Sequence, residues 1–207
     1  MTEEVTKYWT DLLLDNSSTY SSLEYLDLSQ LSLTAPHPIW TAAGTNPVSV
    51  TKATVVTWLL LNVYKTGKRL YKMKKVKSPA CILCSSPLDS QIHFALQCSE
   101  LAEIRTQYLD KFAQSCPNIT NYMENEKLFL QILLDPFSSR VPIEVKNGWS
   151  SSDEAYKLTR NYCYHIHKKR DKLIENIGKN QQNIENEIES ESEDKTEIFI
   201  TVYENIS

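Results

Sequence analysis

The sequence has no hydrophobic run long enough to cross a membrane. No segment comes near the roughly 18 consecutive apolar residues that a transmembrane helix needs. The longest apolar segment, residues 53–64, is interrupted by Thr57 and Asn62, and it predicts a buried helix. Glu3 and Glu4 stand where a signal peptide would carry positive charge. We therefore expect neither a membrane partner nor a secretion signal.

Acidic residues are missing from one part of the chain and concentrated in another. Residues 61–80 carry seven basic and no acidic side chains, whereas residues 183–207 carry eight acidic side chains and one basic side chain. The formal net charge of −4 for the whole chain hides this asymmetry. Because the acidic end is also poor in apolar groups, it has little to bury in a core. We predict that residues 181–207 form a disordered acidic tail.

Apolar residues recur at helical spacing through most of the chain. In one segment Val56, Leu59 and Leu60 fall on the same face of a helix, and Ser49 or Thr51 can serve as its N-cap. We therefore predict a mainly α fold, a small helical domain. The predicted helices cover about residues 8–14, 49–64, 99–116, 124–134 and 152–177, with loops at 36–47 and 135–152.

Cysteine is scarce outside one short segment. Three of the five cysteines and one of the four histidines lie within residues 81–98. Cys81 and Cys84 are separated by two residues; His93 follows after eight more, and Cys98 after another four. Three thiolates and one imidazole suit four-coordinate Zn²⁺, and a Cys-x2-Cys turn can bring both sulfurs to about 2.3 Å from the ion. The spacing therefore predicts one structural zinc ion in a zinc-knuckle-like Cys3His site.

The alternative is that these residues are three buried free thiols and an unrelated histidine, since cysteine is among the most often buried residue types. If they bind zinc, protein groups fill all four positions and none remains for a catalytic water. The expected role is thus structural. Thiols at metal spacing without a secretion signal also fit a reducing, intracellular compartment, and the sequence leaves open whether that compartment is the nucleus.

The basic residues before this motif form the second functional candidate, which we call the basic ridge (residues 65–77). Clustered Lys and Arg side chains are typical of proteins that bind the phosphate backbone of RNA or DNA, and a tyrosine among them adds a face for an unstacked base. A solvated helix surface and a nuclear-localisation address are the other interpretations. The candidate nucleic-acid-binding residues are Lys65, Lys68, Arg69, Tyr71, Lys72, Lys74, Lys75 and Lys77.

Two weaker signals concern metals. Asp135 with Glu144 and Lys146 loosely matches the layout by which some nucleases hold Mg²⁺ with two carboxylates and use a lysine to assist a water. These are three common residue types at loose spacing. Cys163 and His167 are four residues apart on a predicted helix and could share a metal. No second ligand pair accompanies them, so ordinary helix packing accounts for them better.

Together these segments resemble the C-terminal end of the reverse transcriptases of non-LTR (LINE-like) retrotransposons. The motif Cys81-x2-Cys84…His93-x4-Cys98 is the specific part, because retroviral nucleocapsid knuckles have a shorter gap between Cys and His. The resemblance covers about residues 8–175. The other segments that support the resemblance are Ser22-Leu23-Glu24-Tyr25-Leu26, His37-Pro38-Ile39-Trp40, Thr66-Gly67, Arg105 and Arg160-Asn161-Tyr162-Cys163-Tyr164-x-Ile166-His167-x2-Arg170.

The resemblance implies that the zinc segment helps to grip the element RNA or the target DNA during target-primed reverse transcription. It also implies that the rest of such a reverse transcriptase is a partner. The sequence itself contains no Asp-Asp dipeptide, so two-metal nucleotidyl transfer is not expected of this chain alone, and it has no endonuclease domain. We therefore predict no enzymatic activity.

The expected protein is a zinc-stabilised nucleic-acid-binding module. The alternatives are a zinc-stabilised protein-interaction module, which would use the helix at residues 101–112, and a non-functional retrotransposon relic. The expected organisation is a helical region ending in the basic ridge (1–80), the zinc motif (81–98), a second helical region (99–180) and the acidic tail (181–207).

Overall fold

The computed structural model describes residues 36–204 without a break, together with residues 23–28 and seven separate residues before them: 4, 5, 7, 8, 11, 12 and 15. Of the side chains beyond residue 180 it describes only that of residue 182. Most of the helix predicted at residues 8–14 therefore lies outside the described residues. The chain divides into two compact units, 1–169 and 170–207.

Residues 36–204 are built from helices and turns, without a strand, so the prediction of a mainly α fold is confirmed. The α-helices are α1 (Pro38–Thr41), α2 (Pro47–Leu60), α3 (Gly67–Lys72), α4 (Ala102–Ser115), α5 (Glu126–Leu134), α6 (Ile143–Lys146) and α7 (Ser152–Glu204). A π-helix covers His93–Gln97, and 3₁₀-helices cover Ser99–Leu101 and Pro117–Tyr122.

Helix α2 begins earlier than its predicted caps. The Asn46 side chain accepts hydrogen bonds from the backbone N–H groups of Val48 (3.0 Å) and Ser49 (3.1 Å), which satisfies donors that a helix leaves unpaired. Pro47 then occupies the first helical position, where its missing N–H costs nothing. The predicted core face of α2 is confirmed, since Val56 and Leu60 are almost fully buried.

Two predicted loops contain short helices. In the first, α1 forms because Pro38 sits at its start and the His37 ring accepts a hydrogen bond of 3.2 Å from the Ile39 N–H. In the second, Pro142 precedes α6. In segments of only a few residues, proline and glycine are the main local signals, and they indicate a turn. These signals do not distinguish a loop from a single turn of helix.

Helix α7 continues to Glu204, well past the predicted end near Ile177. Gly178 follows the predicted end, but a glycine inside a helix costs only about 1 kcal/mol relative to alanine. The residues after it are rich in Glu, which has high helix propensity. The disorder predicted for residues 181–207 stays a prediction.

The first unit is held together by contacts between distant helices. The Lys52 ammonium of α2 donates to the Asn161 side chain of α7 (2.7 Å). Arg160, also on α7, donates to the carbonyls of Ile39 (3.3 Å) and Ala42 (3.0 Å). The largest fully buried side chains are Tyr156, Tyr162, Phe94, Phe112, Ile39, Leu59, Leu101, Ile119, Leu130, Ile132, Leu133 and Leu134.

No described helix combines the length and the apolar character that crossing a membrane requires.

Candidate metal centre

The first pair of candidate ligands lies on a tight reversal of the chain. The backbone N–H of Cys81 donates to the Ser86 carbonyl (2.8 Å), and the N–H of Ser85 donates to the Cys81 carbonyl (2.9 Å). Ser85 has a φ of 59°, the left-handed conformation that allows the chain to turn back sharply. These bonds bring the backbone of Cys81 and Cys84 into one compact knuckle.

The second pair lies on the π-helix. An α-helix has 3.6 residues per turn, so residues five apart would point about 140° away from each other. Here the N–H of Cys98 instead donates to the carbonyl of His93 (2.8 Å), which is the i→i+5 bond of a π turn. The wider turn lets His93 and Cys98 contribute to one site despite their spacing. The spacing in the sequence does not reveal this type of turn.

The four side chains converge on a single centre. Their ligand atoms all lie within 4.8 Å of one another. The Cys81 and Cys98 sulfurs are 3.9 Å apart, and the Cys84 sulfur is 3.3 Å from Nε2 of His93. A tetrahedral ion with bonds of about 2.1–2.3 Å would place its ligand atoms about 3.4–3.8 Å apart. The predicted Cys3His cluster is therefore confirmed, and its geometry fits a metal ion.

Electrostatics within the cluster favour a cation. Burial, followed by the neighbouring thiols of Cys81 and Cys84, raises the pKa of the Cys98 thiol to about 12. Burial acts to raise the pKa of Cys84 too, but hydrogen bonds from the Ser86 backbone and from the other two thiols lower it overall. Three thiolates in such close contact repel one another unless a cation neutralises them. The arrangement is that of a metal-ligand set.

Neighbouring groups hold the second half of the site in place. The Ser90 hydroxyl accepts a hydrogen bond from the His93 N–H (3.1 Å), and the Arg105 guanidinium donates to the Cys98 carbonyl (3.0 Å). The Phe94 ring, fully buried, stacks on Tyr64 with ring centres 4.5 Å apart. The π-helix is thus part of the hydrophobic core.

The loop between the two ligand pairs docks onto the start of the basic ridge through Asp89. Its side chain is nearly fully buried, and its carboxylate accepts a hydrogen bond of 2.7 Å from the Gly67 N–H. The Asp89 carbonyl accepts another from the Lys68 N–H (3.0 Å), while its own N–H donates to the Pro79 carbonyl (2.8 Å). The segment that carries the four candidate ligands (residues 81–98), which we call the metal loop, is therefore joined directly to helix α3.

Gly67 permits this close docking. A Cβ atom at this position would lie 2.7 Å from the Ala80 carbonyl oxygen and 2.9 Å from that of Pro79, both distances shorter than van der Waals contact allows. The sequence pointed to Gly67 only as part of the resemblance. The contact between Gly67 and Asp89 bridges 22 positions, which no local pattern reveals.

The basic ridge consists of helix α3 followed by turns. Lys74 has a φ of 56°, so the helix cannot continue through it. The Arg69 guanidinium is half-buried and donates to the Asn62 carbonyl (2.8 Å). The remaining candidate residues are exposed: Lys65, Lys68, Tyr71, Lys72, Lys74, Lys75 and Lys77. Sequence reasoning did not single out Met73 and Val76, whose apolar side chains are also exposed among these lysines.

The residues behind the two weaker metal signals pack or hydrogen-bond within the protein. Asp135 is completely buried and accepts a hydrogen bond of 2.9 Å from the Tyr156 hydroxyl. Glu144, in contrast, is exposed and accepts from the Tyr122 hydroxyl, so the two carboxylates have different surroundings. Cys163 is fully buried within the helix core, as expected for a packing residue.

The remaining thiol also has a packing role. Cys116 is fully buried, and its sulfur donates to the Val145 carbonyl (3.4 Å). It lies against Gly148, where an added Cβ atom would come within 2.8 Å of the Cys116 sulfur. Within the part of the chain that the structure describes, residues 81–98 hold the one cluster of three or more His, Cys, Asp or Glu side chains placed for a metal.

A scan against protein-family models and searches of curated proteins and of solved structures found no match.

Proposed function

We propose that this chain is a zinc-stabilised module that binds the phosphate backbone of RNA or DNA through the basic ridge. The contact between Asp89 and Gly67 carries the proposal, because it makes the position of the ridge depend on the metal loop. An ion that closes the loop from Cys81 to Cys98 would therefore also hold helix α3 in place. The ion's role is structural, and the lysines make the contacts with the ligand.

Zinc is the ion that best suits the site. Three thiols and one imidazole form a tetrahedral donor set typical of structural zinc sites, and carboxylate oxygens, which magnesium and calcium prefer, are absent from the cluster. All four positions are filled by protein groups, so the ion would carry no reactive water. Binding energy from such an ion contributes directly to folding.

Charge and exposure support nucleic acid as the ligand. Six lysines of the ridge are exposed, and residues 61–80 contain no acidic side chain to pair with them. Contacts of this kind depend on the regular spacing of phosphates and carry little sequence information. We accordingly propose that binding is salt-sensitive and largely independent of sequence.

The motifs shared with non-LTR retrotransposon reverse transcriptases support a proposal of origin. We infer that the chain corresponds to the C-terminal region of such a reverse transcriptase, separated from the polymerase and endonuclease, with the rest of the enzyme as a partner. In this proposal the chain grips the nucleic acid while catalysis takes place elsewhere. A non-functional relic of such an element is the competing origin.

A second candidate function is favoured by the exposed apolar residues on the ridge. Tyr71 is 50% exposed and Met73 is 49% exposed, and exposed apolar side chains of this kind also suit a protein partner that covers them with apolar side chains of its own. Protein binding through apolar contacts would depend little on salt, whereas phosphate binding would depend on it strongly.

Salt titration of nucleic-acid binding tests the proposal. We expect the logarithm of the affinity to fall steeply with the logarithm of the salt concentration. Replacing Lys72, Lys74 and Lys75 with Ala should reduce the slope by about 2–3 for duplex DNA. The matched control replaces three exposed lysines outside the ridge, Lys111, Lys157 and Lys168, with the same change in net charge. Equal effects of the two triple variants would overturn the proposed interface.

A further inference from the structure

A cleft of about 400 Å³ lies between the basic ridge and the metal loop. This volume falls in the range of about 300–1,000 Å³ that small-molecule sites occupy. One side of the cleft is formed by α3, from which Lys68, Arg69 and Lys72 contribute. The other side is formed by the loop before His93, from which Leu88 and Gln91 contribute.

The lining of the cleft combines basic, polar and apolar side chains with one acidic residue, Glu24, whose carboxylate pairs with Lys127 (2.7 Å). Lys68 and Lys72 are exposed at its edge, where they can reach an anion. Leu88 is 44% exposed and offers an apolar wall to whatever enters. Tyr25 adds a buried ring, and burial, followed by the nearby Glu24 carboxylate, raises its pKa to about 12. The Tyr25 hydroxyl is therefore neutral at physiological pH and does not repel a phosphate.

Gln91 is a buried polar residue in the lining of the cleft. Its side chain is 6% exposed, and Nε2 donates a hydrogen bond of 3.0 Å to the Leu59 carbonyl. The Oε1 atom of the same amide has no hydrogen-bond partner among the described residues, and a buried acceptor without a partner costs about 1–3 kcal/mol. The atom is covered, so a ligand would have to draw the Gln91 amide slightly further into the cleft. An N–H or O–H donor would then satisfy it.

We propose that this cleft holds one unpaired nucleotide of a single strand. Its phosphate binds Lys68 and Lys72, and its base packs against Leu88. A hydrogen-bond donor of the base or the sugar binds the Gln91 side chain. The inference rests on the proposed nucleic-acid function and adds a preference for single strands. A base within a duplex is stacked and paired, so it cannot enter such a cleft without unpairing. Phosphate contacts along the rest of the ridge, including Lys75, do not distinguish the two forms.

Two matched pairs of variants test the cleft in the full-length, zinc-loaded protein. Lys72→Ala and Lys75→Ala each remove one exposed ridge charge, but only Lys72 lines the cleft. Leu88→Ala and Ile82→Ala each truncate an exposed apolar side chain of the metal loop, but only Leu88 lines the cleft. The probes are a fluorescent 12-nucleotide single strand, the same strand with abasic sites, the corresponding duplex, and AMP.

We expect Leu88→Ala to weaken binding of the single strand by about fivefold, as loss of one base contact should, while Ile82→Ala has no effect. The abasic strand should bind Leu88→Ala and Ile82→Ala with equal affinity, and so should the duplex. Lys72→Ala should weaken single-strand binding more than Lys75→Ala does, with no such difference on the duplex. If Lys72→Ala weakens single-strand binding no more than Lys75→Ala does, and Leu88→Ala no more than Ile82→Ala does, the cleft is not a nucleotide site. The proposed function would still stand in that case.

Two other outcomes overturn the inference in different ways. AMP binding tighter than that of the single strand, and lost in Leu88→Ala, would assign the cleft to a free nucleotide. Failure of the unmodified protein to bind either strand form at low salt would overturn the proposed function and the cleft together.

Discussion

The Asp89 carboxylate accepts a hydrogen bond of 2.7 Å from the backbone N–H of Gly67. This contact joins the loop that carries the candidate metal ligands to helix α3, which carries several of the basic residues. The buried Asp89 carboxylate thereby pairs the first backbone N–H of α3, one of the donors that a helix leaves without a partner of its own. The candidate metal site is thus connected by a direct hydrogen bond to a surface that contains none of its four residues.

Replacing Gly67 with Ala should destabilise the protein. The added Cβ would lie 2.7 Å from the Ala80 carbonyl oxygen, and backbone atoms cannot move away as a flexible side chain can. We expect a loss of about 1–3 kcal/mol in the free energy of unfolding, measured by urea denaturation. The matched control is Gly178→Ala, where nothing lies within 4 Å of the added atom and helix propensity should leave stability unchanged or slightly raised. Equal stability of Gly67→Ala and the unmodified protein would contradict the close docking.

Replacing Asp89 with Ala should weaken the junction from the other side. The change leaves the Gly67 N–H without its partner, and hydrogen bonds to charged groups contribute about 1.5–3 kcal/mol. We expect a loss of stability of that size by urea denaturation, together with weaker nucleic-acid binding. Asp110→Ala, at an exposed position, should change stability by less than about 0.5 kcal/mol. If Asp89→Ala lowers stability and leaves binding untouched, the proposed dependence of the ridge on the metal loop fails.

Metal affinity should rise with pH. Burial, followed by the neighbouring thiols, raises the pKa of Cys98 to about 12 in the metal-free site, so at neutral pH the incoming ion must displace a proton from this thiol. Each displaced proton makes the affinity increase by about tenfold per pH unit below the pKa of the thiol. Competition with a coloured chelator between about pH 6 and about pH 8 measures this slope. An affinity that does not change over this range would mean that Cys98 is not a ligand.

Removing the Tyr156 hydroxyl should destabilise the core. In Tyr156→Phe the fully buried Asp135 loses the 2.9 Å hydrogen bond that it now accepts, at a cost of about 1–3 kcal/mol. Thermal or urea unfolding measures the loss. Tyr71→Phe removes a hydroxyl from an exposed ring and serves as the control with no expected change. If Tyr156→Phe is as stable as the unmodified protein, the hydrogen bond to Asp135 does not contribute to stability.

The cluster itself could be predicted from the sequence because its spacing has a chemical reason. Two cysteines separated by two residues form a knuckle on their own, and few other functions place three cysteines and a histidine within eighteen positions. The helix faces were similarly predictable, since Val56 and Leu60 follow the 3.6-residue period. The π turn between His93 and Cys98 could not be predicted from the sequence. Its i→i+5 hydrogen bond depends on how the four candidate ligands and the core residues pack around it.

Local composition by itself determined that this protein is helical, that its thiols are gathered at metal spacing and that its basic charge lies in one block. Tertiary structure alone decided that Asp89 accepts a hydrogen bond from the Gly67 N–H at the start of α3 and that a cleft opens beside Lys72. The reason is physical: periodicity and spacing act through neighbouring residues, whereas burial of a carboxylate against a distant N–H depends on how the chain packs after those elements have formed.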